Sequence, residues 1–204
     1  MNDLIIIGAS GHGKVIAEIA EINGYSNIIF LDDNPEIKFC GNYRVIGGCI
    51  EANKHKDSDF IVAIGNATIR ARIQTELASA GVRFVSIVHP DAVISKSADI
   101  GEGTVVMAGA VINADVKIGQ GCIINTCASV DHDCDVGDFV HVSVGAHVAG
   151  TVKIGDNTWI GAGAVVSNNI NITSDCMIGA GAVVVNDLIE PATYIGVPAR
   201  KKNL

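Results

Sequence analysis

The chain has 204 residues, with 22 acidic and 14 basic side chains and a formal net charge of −8 at pH 7. This balance argues against nucleic-acid and membrane-surface partners, because phosphate binding is driven by clustered lysine and arginine. No apolar run approaches the ~18 residues that a membrane-spanning helix needs, so we predict no membrane insertion. The six cysteines form no C-x-x-C pair, which gives little support to a metal or thioredoxin site, and we expect them to be reduced in a cytoplasmic protein.

The first part of the chain alternates between predicted strands and helices. Apolar segments predict strands at residues 4–7, 28–31, 60–64 and 83–85, and helices at residues 13–23 and 68–80. Strands that alternate with helices indicate βαβ units on a parallel sheet. We therefore predict a Rossmann-like α/β domain over residues 1–87, in which residues 34–59 are the least interpretable stretch. The first strand follows the N-terminus without a basic segment, so no signal peptide is expected.

A glycine-rich turn, GASGHG at residues 8–13, joins the first predicted strand to the first helix. Asp32 and Asp33 follow the second strand and Gly65 follows the third, so all three features meet at one edge of a parallel sheet. A helix N-terminus offers free N–H groups to a phosphate, which favours a nucleotide site with His12 in contact with the ligand. The order GxxGxG departs from the dinucleotide fingerprint GxGxxG, and a purely structural βα turn is the alternative.

Beginning at Val88, an aliphatic residue occupies every sixth position for seventeen consecutive positions, up to Val184. A period of six fits neither a helix nor a free strand and is typical of a coil that stacks on itself. Small or β-branched residues fill the position four residues further on, and glycine often follows the aliphatic position, as tight corners need. We therefore predict a hexapeptide β-helix over residues 88–204, ending in a C-terminal cap.

Eighteen residues make one predicted coil, so outward side chains 18 residues apart should stack in columns. The first column is Val105, Ile123, His141, Trp159 and Met177; the second is Val93, Val111, Ser129, His147, Val165 and Val183; the third is Asp99, Lys117, Asp135, Lys153 and Asn171. Two faces are thus mostly apolar and one is charged, and an apolar exterior of this extent indicates an interface. His141 and His147 on these faces either pack structurally or donate a hydrogen bond to a ligand held between subunits.

His132 lies between two carboxylates, Asp131 and Asp133, at a predicted corner of the β-helix. Its stack neighbours are Ala114 and Gly150, whose small side chains leave an open notch on both sides. A carboxylate beside a histidine can orient the ring and raise its basicity, as a general base requires. The alternative is an ordinary solvated histidine among acidic residues.

Several motifs occur together and in order along the chain. They are GASGHG, Asp32-Asp33, AIGN at residues 63–66, the DHD triplet, HVSVGAHVAG at residues 141–150 and GVPAR at residues 196–200. Together they resemble the bacterial nucleotide-amino-sugar N-acetyltransferases of the bacillosamine-pathway type, with sialic-acid and serine-type O-acetyltransferases as close relatives. The resemblance implies a left-handed parallel β-helix, a homotrimer and acetyl-CoA as the donor. The general preference for right-handed crossovers would predict the opposite hand.

The resemblance also implies roles for individual residues. His132 matches the general base and Asp133 the acidic residue that tunes it, where the family carries the longer glutamate. Contacts to the UDP-sugar acceptor are implied for Ser10, Gly11, His12, Asp32, Asp33 and Gly65. Contacts to acetyl-CoA, several through backbone groups, are implied for His141, Gly150, Ala162 and Ala180.

The function that follows is transfer of acetyl from acetyl-CoA to the 4-amino group of a UDP-linked 4-amino-4,6-dideoxy-N-acetyl-hexosamine. His132 would take the proton of the attacking amine, and neither a metal nor a covalent acyl-enzyme is required. One alternative is an O-acetyltransferase that acts on a sugar or sialic-acid hydroxyl with the same base. A second is a non-catalytic sugar-nucleotide-binding scaffold, which the presence of the DHD triplet argues against.

Overall fold

The computed structural model describes residues 3–202 and divides into two compact units, Met1–Pro90 and Asp91–Leu204. The sequence-based boundary, between residues 87 and 88, falls three residues before this division. Within residues 3–202, no helix combines the length and the apolar character needed to cross a membrane.

The first unit is a six-stranded sheet with two α-helices. Its elements are β1 (Leu4–Ile7), α1 (Gly11–Ile22), β2 (Ile28–Leu31), β3 (Phe39–Cys40), β4 (Tyr43–Gly47), a 3₁₀ helix (Cys49–Lys54), β5 (Asp59–Val62), α2 (Ala67–Ser79) and β6 (Arg83–Phe84), followed by the short strand β7 (Ile87–Val88). The sheet order is β3-β4-β2-β1-β5-β6, and all of its neighbouring pairs are parallel except β3 with β4. The predicted parallel sheet is therefore confirmed, and the uninterpreted stretch at residues 34–59 contributes the β3–β4 hairpin and the 3₁₀ helix.

The sheet order creates a crevice at the carboxyl ends of β1 and β5. The chain passes from β1 to β2 on one side and later adds β5 on the other side of β1, so these two strand ends form a topological switch point. Ligands of open α/β sheets bind at such points. Both helices start here, and each begins earlier than the sequence predicted. The extended backbone of Ser10 precedes α1, and the side-chain oxygen of Asn66 caps α2 by accepting the N–H of Ile69 at 3.0 Å.

The second unit is a parallel β-helix built from two-residue strands. They are β8 (Val93–Ile94), β9 (Asp99–Ile100), β10 (Val105–Val106), β11 (Val111–Ile112), β12 (Lys117–Ile118), β13 (Ile123–Ile124), β14 (Ser129–Val130), β15 (Asp135–Val136), β16 (His141–Val142), β17 (His147–Val148), β18 (Lys153–Ile154), β19 (Trp159–Ile160), β20 (Val165–Val166), β21 (Asn171–Ile172), β22 (Met177–Ile178) and β23 (Val183–Val184). Every strand pairs in parallel with the strand 18 residues away, as in Val105 with Ile123 and Ile123 with His141. This register confirms the predicted coil length. A hairpin of β24 (Thr193–Ile195) and β25 (Arg200–Lys201) follows, with β24 parallel to β22.

The corners of the β-helix correct the interpretation of its glycines. A residue with left-handed backbone recurs every six positions from Gly103 to Gly181, and eight of these corner residues are not glycine. The glycines that follow the aliphatic positions do not adopt this conformation. They are required because the next coil lies close: a Cβ on Gly101 would lie 2.6 Å from the backbone nitrogen of Gln120, and one on Gly155 would lie 2.4 Å from that of Ser174. Close stacking of coils, and not a tight corner, therefore demands glycine there.

The outward columns differ in how much surface they expose. In the first column, Val105 and Ile123 are each only 1% exposed within the chain itself, so the expected apolar exterior is wrong for these coils. In the second column, Val93 is 63% and Val165 is 38% exposed. The charged third column is exposed throughout. Only the second column thus remains a mainly apolar outer face with accessible side chains along its length.

Candidate active site

The glycine-rich turn after β1 packs tightly against the strand end of β5. Gly8 has φ +109°, and a Cβ on it would lie 2.9 Å from the carbonyl oxygen of Ala63. A Cβ on Gly13 would lie 2.4 Å from the carbonyl oxygen of Gly8. Glycine is therefore required at both ends of the turn, which presents the N-terminus of α1, with Ser10 and Gly11 exposed, at the switch-point crevice.

A cavity of about 290 Å³ opens at this crevice, and its lining includes Gly8, Asp32, Asp33, Ile64 and Arg72. The structure thus brings Gly8 of the predicted turn and both predicted aspartates to one place, whereas Ser10, Gly11, His12 and Gly65 are not among the residues that line this cavity. Arg72, an exposed cation of α2, could not be recognised from the sequence, because a lone arginine in a polar helix carries no distinguishing pattern.

Both aspartates hold backbone at the edge of the cavity. Asp32 accepts the N–H of Ala9 at 2.8 Å through Oδ2 and that of Asn34 at 2.9 Å through Oδ1. Asp33 accepts the N–H of Cys49 at 2.7 Å through Oδ1. An ionised carboxylate has about four acceptor positions, so each aspartate can fix its loop and still accept a ligand hydroxyl.

His12 lies in the first turn of α1 with its Nε2 buried and without a hydrogen-bond partner among residues 3–202. Burial lowers the pKa of His12 to about 4, and the nearby charge of Arg70 acts in the same direction. The ring is therefore neutral at pH 7. It can offer a ligand one hydrogen-bond donor or acceptor, but no charge.

His132 stands at a corner of the β-helix with more than half of its side chain exposed. Its Nδ1 lies 2.7 Å from Oδ2 of Asp133, a residue with left-handed backbone at φ +58°. When Nδ1–H donates to this carboxylate, Nε2 keeps its lone pair and can accept a proton. The hydrogen bond to Asp133 raises the pKa of His132, and the charges of Asp131 and Asp133 act in the same direction.

The space predicted to be an open notch at Gly150 is filled by the ring of His132 itself. A Cβ on Gly150 would lie 2.6 Å from Nε2 of His132 and 2.7 Å from its Cε1. The ring therefore lies directly against the glycine backbone, and a side chain at this position would meet the nitrogen that has to receive a proton.

A second carboxylate holds the turn that carries His132. Oδ1 of Asp131 accepts the N–H of His132 at 2.8 Å and the side-chain amide of Asn113 at 2.7 Å. The bond to the His132 backbone is the main reason that the pKa of Asp131 is lowered, so this carboxyl stays ionised. Asn113 was missed from the sequence, although its offset of 18 residues from Asp131 would have revealed the pair.

His141 is held inside the chain and does not stand on an open face. Its side chain is buried, Nε2 lies 3.1 Å from the amide nitrogen of Asn125, and its ring packs on Trp159 with centroids 4.7 Å apart. Nε1 of Trp159 in turn donates to Ser143 at 2.6 Å. Of the two alternatives for His141, the structure agrees with structural packing, because neighbouring coils supply partners for the ring.

The other predicted donor contacts lie at a different corner from His132. Ala162 and Ala180 are exposed, lie 18 residues apart, and are linked by the N–H of Gly181 donating to the carbonyl of Ala162 at 2.9 Å. The structure thus brings His132, Asp133 and Gly150 together and places the two alanines at another corner of the β-helix.

Asp133→Asn is expected to move the acid limb of the pH–rate profile to lower pH and to reduce kcat moderately. Asparagine carries no charge, so the pKa of His132 falls and the ring stays neutral to lower pH. Initial rates from pH 5 to 9 would measure this shift. Asp135→Asn removes a nearby exposed carboxylate that does not touch the ring and serves as the control. An unchanged acid limb in Asp133→Asn would remove Asp133 from the tuning role.

A hexapeptide β-helix, an N-terminal α/β domain and an exposed His132–Asp133 pair are together typical of one class of protein, the hexapeptide-repeat acyltransferases. Comparison with protein families agrees. The model described as PglD N-terminal domain matches residues 3–77, and the model described as bacterial transferase hexapeptide (six repeats) matches residues 97–132 and 151–186.

Solved structures and a curated relative define the family more closely. The acetyltransferase domain of PglB from Neisseria gonorrhoeae FA1090, in complex with acetyl coenzyme A, is 41% identical with a TM-score of 0.95, covering 98% of this chain and 99% of that one. PerB from Caulobacter crescentus, in complex with CoA and GDP-perosamine, is 37% identical with a TM-score of 0.94, covering 100% and 98%. UDP-N-acetylbacillosamine N-acetyltransferase from Bacillus subtilis (strain 168) is 37% identical over 113 residues, 53% of this chain and 52% of that protein.

The chain belongs to this family of acyl-CoA-dependent sugar-nucleotide N-acetyltransferases. The predicted fold class, a Rossmann-like α/β domain followed by a left-handed parallel β-helix, is confirmed, as is acetyl-CoA as the donor of the family. The matched region spans about half the length of the curated Bacillus subtilis relative.

Proposed function

We propose that this protein transfers acetyl from acetyl-CoA to the 4-amino group of a UDP-linked 4-amino-4,6-dideoxy-N-acetyl-hexosamine. It does so in the cytoplasm and as a homotrimer. The observation that carries the proposal is the His132–Asp133 pair, in which the 2.7 Å contact at Nδ1 leaves Nε2, beside the backbone of Gly150, to act as a base.

The reaction needs one proton acceptor. The amine nitrogen attacks the thioester carbonyl carbon, the new C–N bond forms, and the C–S bond breaks to release CoA thiolate. Nε2 of His132 takes the proton that the amine loses, and the proton then passes to the thiolate. Asp133 stabilises the imidazolium that exists between these two proton transfers, because its carboxylate accepts a hydrogen bond from Nδ1–H.

The two units divide the substrates between them. Residues 1–87 bind the acceptor nucleotide: Ser10, Gly11 and His12 at the N-terminus of α1 face its phosphates, and Asp32, Asp33 and Gly65 contact the nucleoside. Residues 88–204 bind the donor, through His141, Gly150, Ala162 and Ala180. This division is supported by the cavity at the switch point, which the acidic pair and the glycine turn share.

The nucleotide base has a second candidate. PerB from Caulobacter crescentus was solved with GDP-perosamine and is 37% identical over the whole chain, so a GDP-linked amino sugar is the alternative acceptor. The curated relative from Bacillus subtilis carries a UDP-sugar in its name and favours uridine.

Mass spectrometry of the protein incubated with acetyl-CoA and matched UDP- and GDP-amino sugars tests the proposal. We expect one acetyl group to be added to a UDP-linked 4-amino sugar, and calorimetry to detect binding of UDP. If only the GDP-sugars were acetylated, the proposed acceptor would be a GDP-linked amino sugar and not a UDP-linked one. Absence of acetylation for every nucleotide sugar, together with no affinity for UDP or GDP, would overturn the proposed function.

A further inference from the structure

Arg70 is a buried cation that the proposed chemistry does not use. It lies in the first turn of α2 and is only 1% exposed, which makes it one of the largest fully buried side chains among residues 3–202. Burial of a guanidinium is costly unless its donors are satisfied, so its contacts indicate what the residue is for.

Two of its hydrogen bonds are made to the loop between β5 and α2. Nη1 of Arg70 donates to the carbonyl oxygens of Ile64 at 2.8 Å and Gly65 at 2.9 Å. One guanidinium nitrogen thus bridges both carbonyls, and the rigid planar group holds it in a position that the flexible side chain of a lysine would not reproduce. The loop thereby has one defined position at the carboxyl end of β5.

The loop in turn supports the glycine-rich turn on the other side of the crevice. A Cβ on Gly8 would lie 2.9 Å from Cγ1 of Ile64, so any movement of Ile64 alters the space beneath the turn. The charge of Arg70 also acts on His12, whose pKa it lowers in addition to the larger effect of burial. Arg70 therefore influences both walls of the switch-point crevice without lining the cavity.

We infer that Arg70 is a positioning residue for the acceptor nucleotide, which sets the separation of the two crevice walls by fixing the carbonyls of Ile64 and Gly65. The inference rests on the proposed function, because that function assigns the nucleotide to this crevice. A positioning residue of this kind acts on binding of the acceptor and leaves the donor and the chemical step unaffected.

Arg70→Met and Arg70→Lys test the inference. In Arg70→Met we expect KM for the sugar nucleotide to rise about tenfold or more, as loss of charge-assisted hydrogen bonds implies, while KM for acetyl-CoA and kcat at saturation change less than about twofold. Arg70→Lys keeps the charge and part of the hydrogen bonding, so its KM for the sugar nucleotide should fall between those of the wild type and Arg70→Met. Val82→Ala, which removes buried methyl groups from the same core without touching the crevice, should leave both KM values unchanged.

A second measurement separates positioning from general destabilisation. NMR titration of the His12 ring in Arg70→Met should show its pKa raised above the wild-type value and still below the ordinary range, since burial remains. Equal KM values in wild type and Arg70→Met would overturn the inference, as would an equal rise in Val82→Ala. Should Arg70→Met fail to fold, an Arg70→Lys enzyme with wild-type KM for the sugar nucleotide would overturn it as well. Wild-type protein that binds no sugar nucleotide would instead refute the proposed function.

Discussion

His132→Ala is expected to lower kcat by about 10²–10⁴-fold, the usual cost of losing a general base. KM for both substrates should change little, because the ring serves the proton transfer and the binding residues remain. The ring is more than half exposed and hydrogen-bonds to the neighbouring Asp133, so its loss should leave the thermal stability of the protein unaffected. Steady-state kinetics with each substrate varied, together with thermal unfolding, would check all three expectations. A variant with near-wild-type kcat would show that His132 is not the base.

Gly150→Ala provides an independent test of the same geometry without removing the base. The new methyl group would lie 2.6 Å from Nε2, so the imidazole must turn away. Because the obstructed atoms belong to an exposed side chain and not to backbone, the fold should accept the change while kcat falls. Introduced into His132→Ala, the same substitution should have no further effect. An equal loss in both backgrounds would show that the added methyl group disturbs binding of acetyl-CoA at Gly150 and not the His132 ring.

The period of the β-helix could be predicted because each coil repeats the same local constraint. One aliphatic residue per six positions fixes which side chains point inward, and the 18-residue register follows from three such faces. The strands β1 and β2 could also be predicted, since each is a short apolar run bounded by polar residues and turn residues. The contact between His132 and Asp133 could be predicted for the same reason, because their register position and their adjacency are local features.

The left-handed backbone of the corner residues could not be predicted, because it is imposed by the stacking of coils. Phe139 and Thr151 adopt φ +57° and +62°, a conformation that their own preferences disfavour. Hydrogen bonds to the preceding coil hold both: the N–H of Phe139 donates to Gln120 and that of Thr151 to His132. Tertiary contacts thus override the local preference.

The burial of individual polar side chains could not be predicted from the sequence either. Arg70 reads as one more charge on a polar helix, and only the fold shows that its guanidinium lies beneath Ile64 and Gly65. His141 carries no local sign that Asn125 and Trp159, one coil away on either side, enclose its ring. Partners that are distant along the chain decide such cases.

Val165→Glu is expected to abolish both assembly and turnover. The second column is the mainly apolar outer face that stays accessible in the single chain, with Val165 38% exposed. A carboxylate placed there would be buried without a partner on assembly, which an apolar interface does not tolerate. Trp159 is a poorer position for this test, because its indole already binds Ser143 and packs on His141, so a charge there would disturb the chain itself.

Assembly and activity should be lost together because the residues proposed to form the site do not lie at one corner of a single chain. His132 and Gly150 share a corner, whereas Ala162 and Ala180 lie at another, and a three-fold ring brings different faces of neighbouring chains into contact. Sedimentation combined with the acetylation assay would measure both properties in the same sample. Lys153→Glu, an exposed charge change on the third column, should leave trimer and kcat intact. A wild-type monomer with full activity, or a dissociated Val165→Glu protein that still turns over, would refute a site shared between chains.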